Sequence, residues 1–430
     1  MTADSPPPPA LLFVGAAQVV TCAGPAGARR RGEMTDAGVR TGVAVAVAGD
    51  RIASVAPREE LERAFPGANV IDCDGRLLTP GLVDSHTHAV FGRARYEEQE
   101  MRATGMPYME MAKLGGGIHA SVRDVGERDE EDLLALAASR LRRLASHGTT
   151  TVEVKSGYGL RLEDELKLLR VIKRLSHELP LRIVPTWLGA HEIPPVARAS
   201  AQARSRHVEM LIHDMLPAVT KLGLAVFADV FCEPGVYTRD ETRRILVAAR
   251  EAGLRIKLHA DELSNSSGAE LAAELGATSA DHLAAISESG VRALAESETV
   301  ATLLPGTMLF LGKPDRAPAR ALIERGAAVA LATDFNPGTS PTVNFPLILT
   351  LAMSQLGMSA SEAMLAVTVN GAAALGLAGE TGQLAPGFSA DLALFDAEDF
   401  RELPYWYGDR RCNGTWVRGK ACHPCSLPIL

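Results

Sequence analysis

Apolar and polar positions along the chain fall into three zones. Between residues 10 and 78, short apolar runs at 11–20, 42–48, 51–55 and 69–73 are separated by Gly, Asp and Pro turns and predict strands. The same style returns from about residue 381. The long middle zone is different. There, apolar runs of strand length at 81–88, 149–154, 181–191, 224–233, 254–262, 278–283, 300–305 and 327–335 alternate with segments that repeat apolar residues at i, i+3 and i+4, clearest at 130–146, 162–179, 239–252 and 318–325. Eight strands alternating with helices predict a (β/α)8 barrel of the α/β class over residues 79–380, flanked by strand-rich ends at 1–78 and 381–430. The Pro-rich start, residues 1–9, is expected to be disordered.

Composition narrows the function classes. A chain of 430 residues with 47% hydrophobic and 22% charged residues has the make-up of a folded globular protein. Its net charge of −8 disfavours a broad nucleic-acid or anionic-lipid surface, so a small-molecule partner is expected. The apolar run at 10–20 is shorter than the roughly 18 residues that span a bilayer, and no Lys or Arg precedes it as in a secretory leader. No membrane association is expected. Six scattered cysteines do not form a disulfide framework, and a cytoplasmic location follows as the expectation. A homodimer is the commonest state for such an enzyme.

In a (β/α)8 barrel the active site is built at the C-terminal ends of the strands, so the residue that closes each run carries the information. The first run ends Asp84-Ser85-His86-Thr87-His88, where the two-residue spacing puts both imidazoles on one face. The fifth ends His259-Ala260-Asp261-Glu262, the sixth contains Asp281-His282, and the eighth ends Asp334-Phe335-Asn336-Pro337-Gly338. A lone His is more often structural than a ligand. Three imidazoles and a carboxylate converging on one mouth form an N/O donor set suited to Zn²⁺ or iron, with a position left open for water.

These residues carry a resemblance. The segments Asp84 to Gly92, Glu153-Val154-Lys155-Ser156-Gly157-Tyr158-Gly159-Leu160, Gly189-Ala190-His191, Lys257 to Glu262 and Ala332 to Thr339 resemble the imidazolonepropionase family within the amidohydrolase superfamily of metal-dependent hydrolases. The resemblance covers about residues 75 to 395. It implies a barrel with a small β-sandwich made jointly by the two chain ends, and hydrolytic opening of 4-imidazolone-5-propanoate to N-formimidoyl-glutamate in histidine breakdown. It also implies one metal ion per chain, Zn²⁺ or Fe²⁺/Fe³⁺, held by His86, His88, His259 and Asp334. The substrate contacts it implies are Arg95, Tyr158, His191, Glu262, His282, Asn336, Gly338 and Thr339. The Pro-rich start and a C-terminal stretch with Cys412 and Cys422-His423-Pro424-Cys425 depart from the family pattern.

The chemistry asks for the same residue types. An amide-like ring carbon is a poor electrophile and neutral water a poor nucleophile, and a divalent ion answers both needs. The departing ring nitrogen needs a proton, which makes Glu262, three residues past His259, the expected shuttle, with His282 and Asp334 as further catalytic candidates. A propionate needs a cation, and Arg95 can offer a bidentate fork. Lys155 is not expected to bridge a second metal, and Gly115-Gly116-Gly117 reads as a loop over the mouth rather than a phosphate cradle. His119, His147, His177, His207 and His213 are expected on the surface. Two rival readings remain: another cyclic amide or amidine hydrolase, including a nucleobase-type deaminase, and a non-catalytic barrel scaffold. Arg95 argues against a nucleobase, and the intact ligand set argues against a scaffold.

Overall fold

The computed structural model describes residues 10–106 and 116–423; the Pro-rich start, Gly115 and Cys425 lie outside the described residues. The N-terminal zone forms β1 (Leu11–Val14), β2 (Gln18–Val20), β3 (Val39–Arg40), β4 (Ala44–Ala48), β5 (Arg51–Ala56), β6 (Asn69–Asp72) and β7 (Leu77–Pro80). The apolar run at 11–20 is therefore two strands rather than the expected single one. Gly15, at a φ of +69° that L side chains rarely adopt, breaks it. β1 then joins a four-stranded sheet ordered β5-β4-β1-β6. β2 crosses to a second sheet.

Eight parallel strands follow: β8 (Leu82–Asp84), β9 (Thr149–Lys155), β10 (Arg182–Ala190), β11 (Phe227–Cys232), β12 (Arg255–Ala260), β13 (Ser279–His282), β14 (Val300–Leu303) and β15 (Val329–Leu331), paired in chain order. The barrel is closed just above β8 and β15, where Asp334 N donates to His86 O (3.0 Å) and His88 N to Phe335 O (2.8 Å). Amphipathic helices such as Glu130–Ala145, Leu162–Glu178 and Arg239–Glu251 bury one apolar stripe against the strands.

The chain end supplies β16 (Leu392–Phe395), β17 (Cys412–Val417) and β18 (Lys420–His423), completing a six-stranded sheet ordered β18-β17-β16-β7-β2-β3. Phe13, Val45, Ile71, Leu78, Leu392 and Trp416 form one core between the two sheets, with Phe13 edge-on to Trp416 at 4.9 Å. The two chain ends thus share a β-sandwich whose β7 leads directly into β8. Among the described residues, no helix is long and apolar enough to cross a membrane.

Candidate metal centre and active site

The strand ends bring five histidines together. His86 and His88 follow β8, His191 follows β10, His259 lies on β12 and His282 ends β13. All five are at most 9% exposed. Ring centres of His86 and His259 lie 4.5 Å apart, those of His259 and His282 5.1 Å, and His191 stacks on His88 at 5.0 Å. His86 Nε2 and His88 Nε2 are 3.3 Å apart, and Asp334 Oδ1 stands 3.5 and 3.6 Å from them. Ligands about 2.0–2.1 Å from a tetrahedral ion are separated by roughly 3.3–3.4 Å, so these three atoms already have the spacing of one coordination shell.

Unpartnered atoms point to the same conclusion. His259 Nε2 and both ring nitrogens of His282 are buried with no hydrogen-bond partner among the described residues. Several orphaned imidazole nitrogens around one space fit a cation. Among the described residues, every group of three or more His, Cys, Asp or Glu at metal-holding distance contains His86 or His88, and Cys412 and Cys422 belong to none. Burial holds His86, His88 and His282 well below the usual histidine range and His191 down to about 3, which keeps the rings neutral. Neutral imidazole is the form that binds a metal.

Carboxylates around the mouth differ in character. Burial, reinforced by Asp334 and Glu233, pushes the Glu262 carboxyl up to about 8. Its Oε2 lies 3.7 Å from His282 Nε2. Asp334 is pushed up to about 6 by burial, against the Thr307 hydroxyl that donates to its Oδ2 at 2.6 Å. Asp261 (φ +51°), His282 (+81°) and Asp334 (+52°) all hold left-handed backbone, a conformation that costs about 1–3 kcal/mol each and persists only where the surroundings enforce it. For Asp261 the enforcement is visible: its carboxylate accepts from Ser266 N, Gly268 N and Ala269 N, capping helix Gly268–Leu275 and turning Glu262 toward the mouth.

Arg95 sits at the start of helix Tyr96–Ala103 with its fork held by Glu98, Nε to Oε1 and Nη2 to Oε2, both at 3.0 Å. The guanidinium lies over Gly338, where an added Cβ would come within 2.6 Å of its atoms, so any side chain there would push the guanidinium aside. Tyr158 is buried 6.0 Å from the His88 ring. The Asn336 amide is engaged within its own turn, accepting from Gly338 N and Thr339 N and donating to Asp334 O and the Thr339 hydroxyl. The structure gives Asn336 the work of shaping the loop. His207, expected on the surface, is instead 8% exposed and bonded to Tyr237 Oη at 3.0 Å.

Residues 97–423 match the amidohydrolase family, and residues 44–68 match the imidazolonepropionase-like composite domain of bacteria. The chain is 47% identical over 402 residues to an imidazolonepropionase of Symbiobacterium thermophilum, covering 93% of each chain. It is 46% identical over 415 residues to that of Geobacillus kaustophilus, covering 95% of this chain and 97% of the relative. The chain belongs to the imidazolonepropionase family. A zinc-bound adenosine deaminase from Xanthomonas campestris shares the fold, with a TM-score of 0.72 at 20% identity over 99% of this chain and 96% of that one.

The barrel of this imidazolonepropionase family member holds buried charges to which the sequence reading gave no role. Glu153, Lys155, Asp229, Lys257 and Asp281 are all buried beneath the histidines. Glu165, on helix Leu162–Glu178, is buried as well and accepts from Gly157 N, Gly159 N and Leu160 N. For the five strand residues the signal was present: charged residues inside otherwise apolar strand runs.

Proposed function

We propose that the mouth of this barrel hydrolyses 4-imidazolone-5-propanoate to N-formimidoyl-glutamate, using one divalent metal ion held by His86, His88, His259 and Asp334. The single observation that carries this reading is identity to imidazolonepropionases over nearly the whole chain. The site's donor set supports it. When bound, the ion polarises the ring carbonyl and makes water acidic enough to serve as nucleophile near neutral pH. Zn²⁺ and iron both suit this N/O set.

The chain's own residues supply the rest. Glu262 takes the proton from the attacking water at one carboxylate oxygen and delivers it to the departing ring nitrogen. Its elevated pKa places it near the operating pH, where a shuttle works best. His282, 3.7 Å from Glu262, orients the attacked carbonyl. His191 donates Nδ1–H to Gly157 O at 2.9 Å, leaving Nε2 to accept from a ring N–H, and Tyr158 closes the same side. Arg95 holds the propionate beside Gly338 and Thr339. Burial of the whole set excludes bulk water from the ring.

The test is an assay with freshly generated imidazolone propionate. Its ultraviolet absorbance should disappear with enzyme, the loss should stop with a chelator, and added zinc or iron should restore it. Persistence of the substrate with metal-replete protein would overturn the reading.

A further inference from the structure

Beneath the histidines lies a group of charges that the proposed reaction does not use. Glu153, Lys155, Asp229, Lys257 and Asp281 are each at most 1% exposed, in the part of a barrel interior that branched apolar side chains normally fill. Lys155 Nζ lies 2.7 Å from Asp229 Oδ2, 2.8 Å from Glu153 Oε2 and 3.8 Å from Asp281 Oδ2. Lys257 Nζ lies 3.2 Å from Glu153 Oε1 and 3.5 Å from Asp281 Oδ2, and it donates to Ser85 O at 2.7 Å. Each buried ion carries a desolvation penalty of several kcal/mol, and apolar residues of similar volume would fill the space at least as stably. Stability alone therefore does not account for the group.

Its outer edge touches two imidazoles. His86 Nδ1 is 2.7 Å from Asp281 Oδ2, and an ionised carboxylate can only accept, so the proton of that ring sits on Nδ1 and Nε2 is left as a lone pair. Asp229 Oδ2 is 3.1 Å from His259 Nδ1, close enough to pair with it although the two are not aligned as a hydrogen bond, and its Oδ1 accepts the backbone N–H of His259 at 3.1 Å. His259 Nε2, on the far side of that ring, is one of the orphaned atoms of the mouth. The lysines tie the carboxylates in place. Lys155 joins Asp229 to Asp281, and Lys257 joins Asp281 to the carbonyl just before His86. Three carboxylates against two ammonium groups leave one net negative charge beneath the mouth.

We propose that Asp281 and Asp229, braced by Lys155 and Lys257, are positioning residues that fix the tautomer and orientation of His86 and His259 so that both Nε2 atoms face one metal ion. The inference rests on the metal site proposed above. Carboxylates set behind ligand histidines commonly strengthen metal affinity by about 10- to 100-fold.

Zinc affinity of the purified full-length chain, measured by competition with a chromophoric chelator, tests both layers separately. If the wild-type chain binds no stoichiometric zinc, the metal site itself is wrong. With wild-type binding established, Asp281→Asn and Asp229→Asn should each bind zinc about 10- to 100-fold more weakly. Each should also change the visible spectrum of the Co²⁺-loaded protein, which a carboxylate that only stabilises the fold would leave alone. Wild-type affinity and an unchanged Co²⁺ spectrum in both variants would overturn the proposal. Should the variants not fold, the zinc-loaded wild type still decides it: long-range ¹⁵N–¹H spectra of labelled histidine should show two metal-bound rings that carry their proton on Nδ1 in strong hydrogen bonds. Nδ1 ligation by His86 or His259 would overturn the assignment.

Discussion

Glu262 combines burial with a position facing the reacting groups, so one atom's change separates its roles. Glu262→Gln should leave metal content intact while kcat falls by about 10²- to 10⁴-fold, the usual share of general acid–base catalysis. A metal-replete variant turning over at the wild-type rate would move proton transfer to another group. The same substitution has a signature in the metal-free protein. The folded-state pKa of Glu262 stands near 8, above its ordinary value of 4.5, because burial penalises the charge. The group favours the fold fully below about 4.5, and that advantage is lost as pH rises through 8. Metal-free Glu262→Gln should therefore gain stability relative to wild type between pH 5 and 9, read as the difference in urea midpoints; a constant difference would contradict the buried-acid assignment. At Arg95, a clamp that holds the propionate equally in ground and transition states is lost as uniform binding, so Arg95→Met should raise KM more than it lowers kcat. Unchanged KM would leave the carboxylate with another partner.

At the scale of elements, strand-end loops carry the site, and the loop bearing Tyr158 is held by a buried side chain that sequence reading passes over. Glu165, on the first turn of helix Leu162–Glu178, accepts from three amides of the loop bearing Tyr158. That loop also offers Gly157 O to His191. Glu165→Ala leaves those amides without an acceptor, which should lower unfolding free energy by about 2 kcal/mol or more and raise KM through the displaced Tyr158 and His191. Normal KM in a destabilised variant would confine Glu165 to the fold. The strands and helices themselves were legible because their periods differ: all eight barrel runs and the helices near 130, 162, 239 and 319 appear where apolar spacing put them. The run at 11–20 misled because periodicity does not register a glycine hinge. The break at Gly15 depends on which sheet each half joins.

For the whole molecule, a metal that binds only the folded mouth couples ligand to stability. Free ion at 100 times its dissociation constant adds about 2.7 kcal/mol. Chelation of protein that carries stoichiometric metal should therefore lower the urea midpoint, and zinc should restore it; an unchanged midpoint would mean that the ion sits where folding does not build its site. The sequence by itself determined the (β/α)8 order and the strand-rich flanks, and it nominated His86, His88, His259 and Asp334 as candidate metal ligands. Periodicity and residue chemistry are local properties, and a barrel converts them into place by a fixed rule. Only the tertiary structure decided that Asp281 reaches His86 across 195 residues, that Lys155 answers Asp229 across 74, and that Glu98 already holds Arg95. Such pairings depend on the register between strands and on which groups lose their water together, and neither is written in the spacing of any one segment.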